Sequence, residues 1–288
     1  MNIIELLTQP FTYTFMQHAL IEVIVIAILT GSVGTFLVLK NLAFIGEALS
    51  HAVFPGVVVA FLLKVNIILG ALVAGILAAF GISILSEQKE ISDNTATGIL
   101  FSSAFALGVV LISSIKNFKT DLASFLIGNI LGVTDQDILI TLLVAVIVIT
   151  SLVFFYRELY ITTFDKTFAR ALGIRVERIN NLFFILIALT IVASIQAVGN
   201  VLVVALLVIT PATARIISRT VPQMLFRSVV ISLVCGLAGL YISFYANTAA
   251  GATIVLTSSA VFFAVLTISN TRKYFQNRNV YTSVSSPA

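Results

Sequence analysis

Residues Met16–Leu39, MQHALIEVIVIAILTGSVGTFLVL, form a run whose only ionisable side chains are His18 and Glu22. A helix needs about 20 predominantly apolar residues to cross the hydrocarbon core of a bilayer. This run meets that length, is too long for a strand and lacks strict alternation, so it reads as a spanning helix. Eight more runs follow it: Phe44–Leu63, Ile67–Leu85, Thr95–Ile115, Ile138–Phe155, Asn181–Val198, Val201–Ile217, Ser228–Phe244 and Ala252–Ile268. In lipid a backbone must satisfy its own hydrogen bonds within the segment, which helices do. The sequence therefore predicts an all-α polytopic membrane protein with eight or nine transmembrane helices.

Composition agrees. Of 288 residues, 59% are hydrophobic and 10% are charged, against roughly 25% charged in an ordinary soluble domain. The mean hydropathy is +1.13. A soluble enzyme, a disordered regulator and a disulfide-rich secreted domain are excluded. Cys235 is the single cysteine, so no intrachain disulfide forms. The first ten residues carry no Lys or Arg and give no sign of a removable signal peptide.

Between the fourth and fifth runs lies DLASFLIGNILGVTDQD, too short to cross and read as an interfacial or re-entrant helix. Small residues recur inside the runs, at Gly31 and Gly34, at Gly70, Ala74 and Ala78, and at Gly236 and Gly239. They let backbones approach where lipid offers no hydrophobic drive. Residues 1–270 read as one membrane domain, and 271–288, basic and then Ser-rich, as a disordered cytoplasmic tail. With nine spans and the loop from Arg157 to Asn180 inside, thirteen of the sixteen Lys and Arg residues fall on the cytoplasmic side. That bias predicts an external N-terminus and a cytoplasmic C-terminus.

Ionisable residues inside a bilayer are costly, and each is a functional candidate. Glu47 and His51, in FIGEALSHAVFPG, are the sharpest pair. Their spacing of four places both on one helical face, and a carboxylate with an imidazole suits a borderline divalent cation such as manganese, iron or zinc. Gly46, Pro55 and Gly56 flank the pair and predict a break in the helix, as at ion sites of discontinuous transporter helices. Such a pair also serves as a plain helix ion pair, and hydropathy places it at the inner end of its span. His18 and Glu22 share the spacing without the flanking Gly and Pro, and read as an ordinary ion pair. Ser50 beside His51 is the one adjacency that points to an intramembrane enzyme, and no second cluster supports it. No GxxxxGK[ST] loop or HExxH pattern is present, so ATP-driven work requires another chain. A secondary transporter would carry acidic residues in several spans, and the last four have none deep within them.

Five motifs in order make a family recognisable: GEALSHAVFPG, TATGILFSSAFALGVVLIS, FLIGNILGV, TFDKTFARALGIRVERIN and VGNVLVVALLVITPATAR. From about Gln17 to Ser269 the chain resembles the membrane permease subunits of bacterial ATP-binding-cassette importers for manganese, zinc and iron, closest to the manganese permeases. The resemblance implies a fold similar to the cobalamin and haem importer permeases, in a multi-pass protein of the bacterial plasma membrane. It implies a homodimer, two cytoplasmic ATPase subunits and an extracellular metal-binding lipoprotein or periplasmic protein as partners. No tightly bound cofactor is implied; the metal is cargo, Mn2+ foremost and Zn2+ or Fe2+ as alternatives. Glu47 and His51 take the family's metal-binding positions, with Glu47 where the motif usually carries Asp. The loop around Thr163–Asn180 takes the place of the helix that couples to the ATPase, through Asp165, Ala169 and Gly173.

Overall fold

In the computed structural model, which describes residues 9–86, 88, 90–113 and 130–284, the chain is a helical bundle with no strand among the described residues. Helix α1 is Thr14–Leu39. The second span is broken into α2, Ala43–Ala52, and α3, Phe54–Leu62. Then come α4, Ile67–Ser86, α5, Asp93–Ser113, and α6, Asp135–Phe154. Two short helices, α7 (Tyr156–Phe164) and α8 (Lys166–Ala171), lead to α9, Val176–Val198. The bundle closes with α10, Asn200–Ile217, α11, Val221–Ala246, and α12, Ala250–Val284. With α2 and α3 counted together, nine described segments are long and apolar enough to cross a membrane.

Several helices start or end outside the apolar runs. Helix α6 begins at Asp135 because Thr134 and Asp137 form a reciprocal capping box. Helices α9 and α11 begin a turn or two before the apolar runs, through the mixed stretches 176–180 and 221–227. The last helix runs on to Val284, through most of the stretch expected as a disordered tail. Of the expected re-entrant stretch, residues 121–129 lie outside the described residues, and Ile130–Gly132 forms a single 3-10 turn.

Helix α1 is the axis of the bundle, packed against α6, α10 and α11. Its small residues make those contacts. Pro211, inside α10, has no N–H to give the Leu207 carbonyl. Gly34 fills that place, lying so close to the Leu207 carbonyl and the Pro211 ring that a Cβ would overlap both. Ser228 of α11 donates to the Gly31 carbonyl at 2.9 Å. On the other flank α9 packs on α4 and α6, and α3 packs on α4 and α5. Gly56 of α3 and Gly70 of α4 meet backbone to backbone. Close packing of this kind replaces the hydrophobic drive that lipid cannot supply.

Candidate functional site

The break after Ala52 positions the site. Pro55 stands in the first turn of α3 and cannot donate to the His51 carbonyl four residues back, so the helix cannot run through unbroken. The predicted break is present, centred on Val53, two residues before Pro55. Glu47 and His51 share one face of α2, with Glu47 Oε1 3.3 Å from His51 Nε2. The His51 side chain is 22% exposed and that of Glu47 48%. Phe101 and Phe105, one turn apart on α5, flank the imidazole at centroid distances of 5.5 and 5.7 Å.

A third polar group arrives from the far side of the chain. Gly199, at φ 83 and ψ 164, forms the one-residue turn between α9 and α10. Only glycine adopts such a conformation readily. The turn delivers Asn200, 5% exposed, with its Nδ2 3.5 Å from His51 Nε2. At the other end of α10, Arg215 donates to the Val38 carbonyl in the last turn of α1. The rise of 1.5 Å per residue puts Asn200 about 22 Å from Arg215 along α10. The Glu47–His51 pair therefore lies beside the end of α10 far from Arg215, with Glu47 half-exposed. Hydropathy reads them at the inner end of a straight span; the span is broken, and α2 brings them to Asn200.

His18 and Glu22 do not pair with each other. His18 Nε2 lies 3.2 Å from Asp135, and its Nδ1 lies 3.1 Å from the Val133 carbonyl. Glu22 is fully buried, and neither of its carboxylate oxygens has a hydrogen-bond partner. The spacing that marks a shared face at Glu47 and His51 thus serves a different contact here. Ser50 turns away from chemistry, donating to the Glu47 carbonyl at 2.7 Å.

The loop residues Asp165, Ala169 and Gly173 build one small helix. Asp165 caps α8 by accepting from the Phe168 N–H at 2.8 Å. Ala169 is fully buried. Gly173, at φ +77, ends the helix, with its N–H on the Arg170 carbonyl and the Ile174 N–H on the Ala169 carbonyl. That double bond pattern is a Schellman cap, which the left-handed conformation at Gly173 permits. Phe164 at the end of α7, Phe168 within α8 and Leu172 at its C-cap are exposed apolar side chains in and beside the small helix. Behind it a polar cavity of about 310 Å³ is lined by Asp93, Lys166, Arg170, Glu177 and Asn180 among others. Lys40 reaches the neighbouring space, donates to Asn180 at 3.0 Å and stands 5.7 Å over the Phe183 ring. Burial, with repulsion from Lys166, pushes its ammonium pKa down to about 8, against a smaller opposing pull from Asp93.

Asn200, Phe101 and Phe105 escaped the sequence reading of the site. Asn200 lies 149 positions from His51, and only the turn glycine before it hints at a special backbone place.

Comparison with known proteins now bears on this geometry. Residues 12–269 match the model of the ABC 3 transport family. The chain is 38% identical over 261 residues to the manganese transport system membrane protein MntC of Halalkalibacterium halodurans, covering 91% of this chain and 89% of that one. It is 37% identical over 276 residues to the chelated iron transport system membrane protein YfeD of Yersinia pestis, covering 96% and 92%. Its fold matches a chain in the structure of PsaBC from Streptococcus pneumoniae in complex with Fab. The TM-score is 0.83 at 37% identity, covering 96% of this chain and all of that one. With nearly its whole length matched and its membrane helices accounted for, the chain belongs to the ABC 3 transport family, as a permease of ABC metal importers.

Proposed function

We propose that this permease carries Mn2+ inward across a bacterial plasma membrane, driven by ATP hydrolysis in separate ATPase subunits. The observation that carries the reading is the half-exposed Glu47 carboxylate on a helix of spanning character, 3.3 Å from His51. Lipid cannot solvate such a carboxylate, and groups of this kind face a protein interior or a water-filled path. A second copy of the chain against this face would enclose the path and double the ligand set. The ion would be released as the two copies rock in alternating access, which suits a weak site.

The short helix α8 is the dock for the ATPase in this reading. Asp165, Ala169 and Gly173 shape the helix, and Phe164, Phe168 and Leu172 offer it an apolar contact. Residues 1–270 act as the permease domain, with the N-terminus outside and the C-terminus inside. An extracellular metal-binding protein hands over the ion, and no cofactor is held tightly.

Fe2+ is the second reading, supported by the likeness to a chelated-iron permease, and Zn2+ shares the same ligand chemistry. Reconstitution of the permease with its ATPase and binding protein in liposomes tests the assignment. ATP-dependent Mn2+ uptake in preference to Fe2+ and Zn2+ is expected. Uptake of none of the three, or uptake without ATP, contradicts it.

A further inference from the structure

Asn200 carries an unexplained feature. Its side chain is buried, its amide nitrogen faces His51, and its amide oxygen is buried with no hydrogen-bond partner. A buried acceptor left unmet costs about 1–3 kcal/mol, and each such group calls for a reason. The backbone holds the residue there deliberately, through the left-handed turn at Gly199. Its neighbours on the site are the Glu47 carboxylate and the His51 imidazole.

We infer that the Asn200 amide oxygen is a third cargo ligand beside Glu47 and His51, and that it biases the site toward oxygen-preferring divalent cations. The inference rests on the reading of Glu47 and His51 as cargo ligands. The chemistry follows from the inventory of donors and acceptors. Asn200 Nδ2 can donate to His51 Nε2 only in the tautomer whose Nε2 keeps a free lone pair, and in that tautomer the same nitrogen gives no proton to Glu47 Oε1. The same lone pair binds a cation. Arrival of the ion therefore removes the acceptor from Nδ2, and a half-turn of the amide about χ2 offers the oxygen instead. The amide torsion is broad and roughly two-fold, so the exchange meets no steep rotameric barrier. One residue thus secures the imidazole when the ion is absent and ligates the ion when it is present. Carboxylate and carbonyl oxygens suit Mn2+, while imidazole suits Zn2+ and Fe2+ equally well. An added amide oxygen shifts the set toward Mn2+ without creating a deep trap.

The test uses the complete reconstituted transporter, with Mn2+ and Zn2+ as the probes. Asn200→Leu keeps the branched shape but removes the oxygen. It is expected to lower Mn2+ uptake about tenfold, the loss of one modest interaction, and to lower Zn2+ uptake less. Asn200→Asp, which restores an oxygen, is expected to recover most of that loss. Wild-type rates and an unchanged Mn2+ to Zn2+ ratio in Asn200→Leu, alongside a silent Glu47→Ala transporter, overturn the inference and leave the site intact. Normal uptake by Glu47→Ala removes the site reading itself. A measurement on the unmutated complex avoids any folding defect: with asparagine isotopically labelled at the amide carbon, electron–nuclear double resonance of bound Mn2+ is expected to show coupling to that carbon. Absence of the coupling overturns the inference.

Discussion

The Lys166 ammonium stands 4.0 Å from the Asp93 carboxylate, tying the short helix α8 to the first residue of α5. Two and three turns further along, the same α5 presents Phe101 and Phe105 to His51. A rigid helix therefore joins the proposed ATPase dock to the proposed ion site. The ion pair is partly exposed on both sides, so it contributes at most about 1 kcal/mol to stability. Its expected role lies in coupling. Lys166→Glu should leave the thermal midpoint almost unchanged while lowering the metal transported per ATP about fivefold, the small end of usual coupling energies. Adding Asp93→Lys should restore the ratio. Paired uptake and phosphate-release assays read both quantities.

Gly56 and Gly70 leave no room for a side chain. A Cβ on either would overlap the carbonyl of the other and an alanine methyl beside it, Ala74 for Gly56 and Ala60 for Gly70. Backbone cannot yield as a flexible side chain does, so Gly56→Val should force α3 and α4 apart at a cost of about 1–3 kcal/mol. Thermal unfolding in detergent should show the loss, with a matching loss for Gly70→Val.

Asp165 acts in this account as a helix cap. Asp165→Asn, which keeps an acceptor for the Phe168 N–H, should leave ATPase binding close to normal, whereas Asp165→Ala should cost about 1 kcal/mol of local helix stability. Gly173→Ala meets no neighbouring atom, so its penalty of about 1 kcal/mol arises from the left-handed backbone alone. Hydrogen exchange at the Gly173 and Ile174 amides and co-purification of the ATPase measure these effects. Loss of binding in Asp165→Asn would show instead that the carboxylate itself touches the ATPase.

Lys40 supplies a pH dependence. Its ordinary pKa of 10.5 is lowered to about 8 in the folded chain. Between those values the unfolded chain binds the proton more often than the folded one. Stability should therefore rise with pH from about 8 to about 10.5. Below that window both states hold the proton, so the cost of the buried ammonium stands in full and does not vary with pH. Lys40→Met should flatten the rise in thermal midpoint measured across the same range.

Much of this was legible in the chain itself. Apolar runs located every span, because lipid demands a stretch of set length whatever its tertiary neighbours. Pro55 announced the broken helix, and the spacing of Glu47 and His51 announced a shared face. Helix ends were less legible where capping groups such as Thr134 and Asp137 extend a helix into polar sequence that hydropathy does not register. The neighbourhood of Glu47 and His51 is hidden for a related reason. It depends on where the Gly199 turn sets Asn200, a contact between residues far apart in sequence. His18 shows the opposite error: a local spacing suggested Glu22, and a distant helix supplied Asp135 instead.

The central claim is that Glu47 and His51 touch the transported ion. The most direct measurement is ATP-driven Mn2+ uptake by the reconstituted transporter carrying Glu47→Ala or His51→Ala, with assembly confirmed by co-purification of the ATPase. The account predicts intact complexes and uptake reduced to background in both variants. Intact complexes that import Mn2+ at the unmutated rate would contradict it.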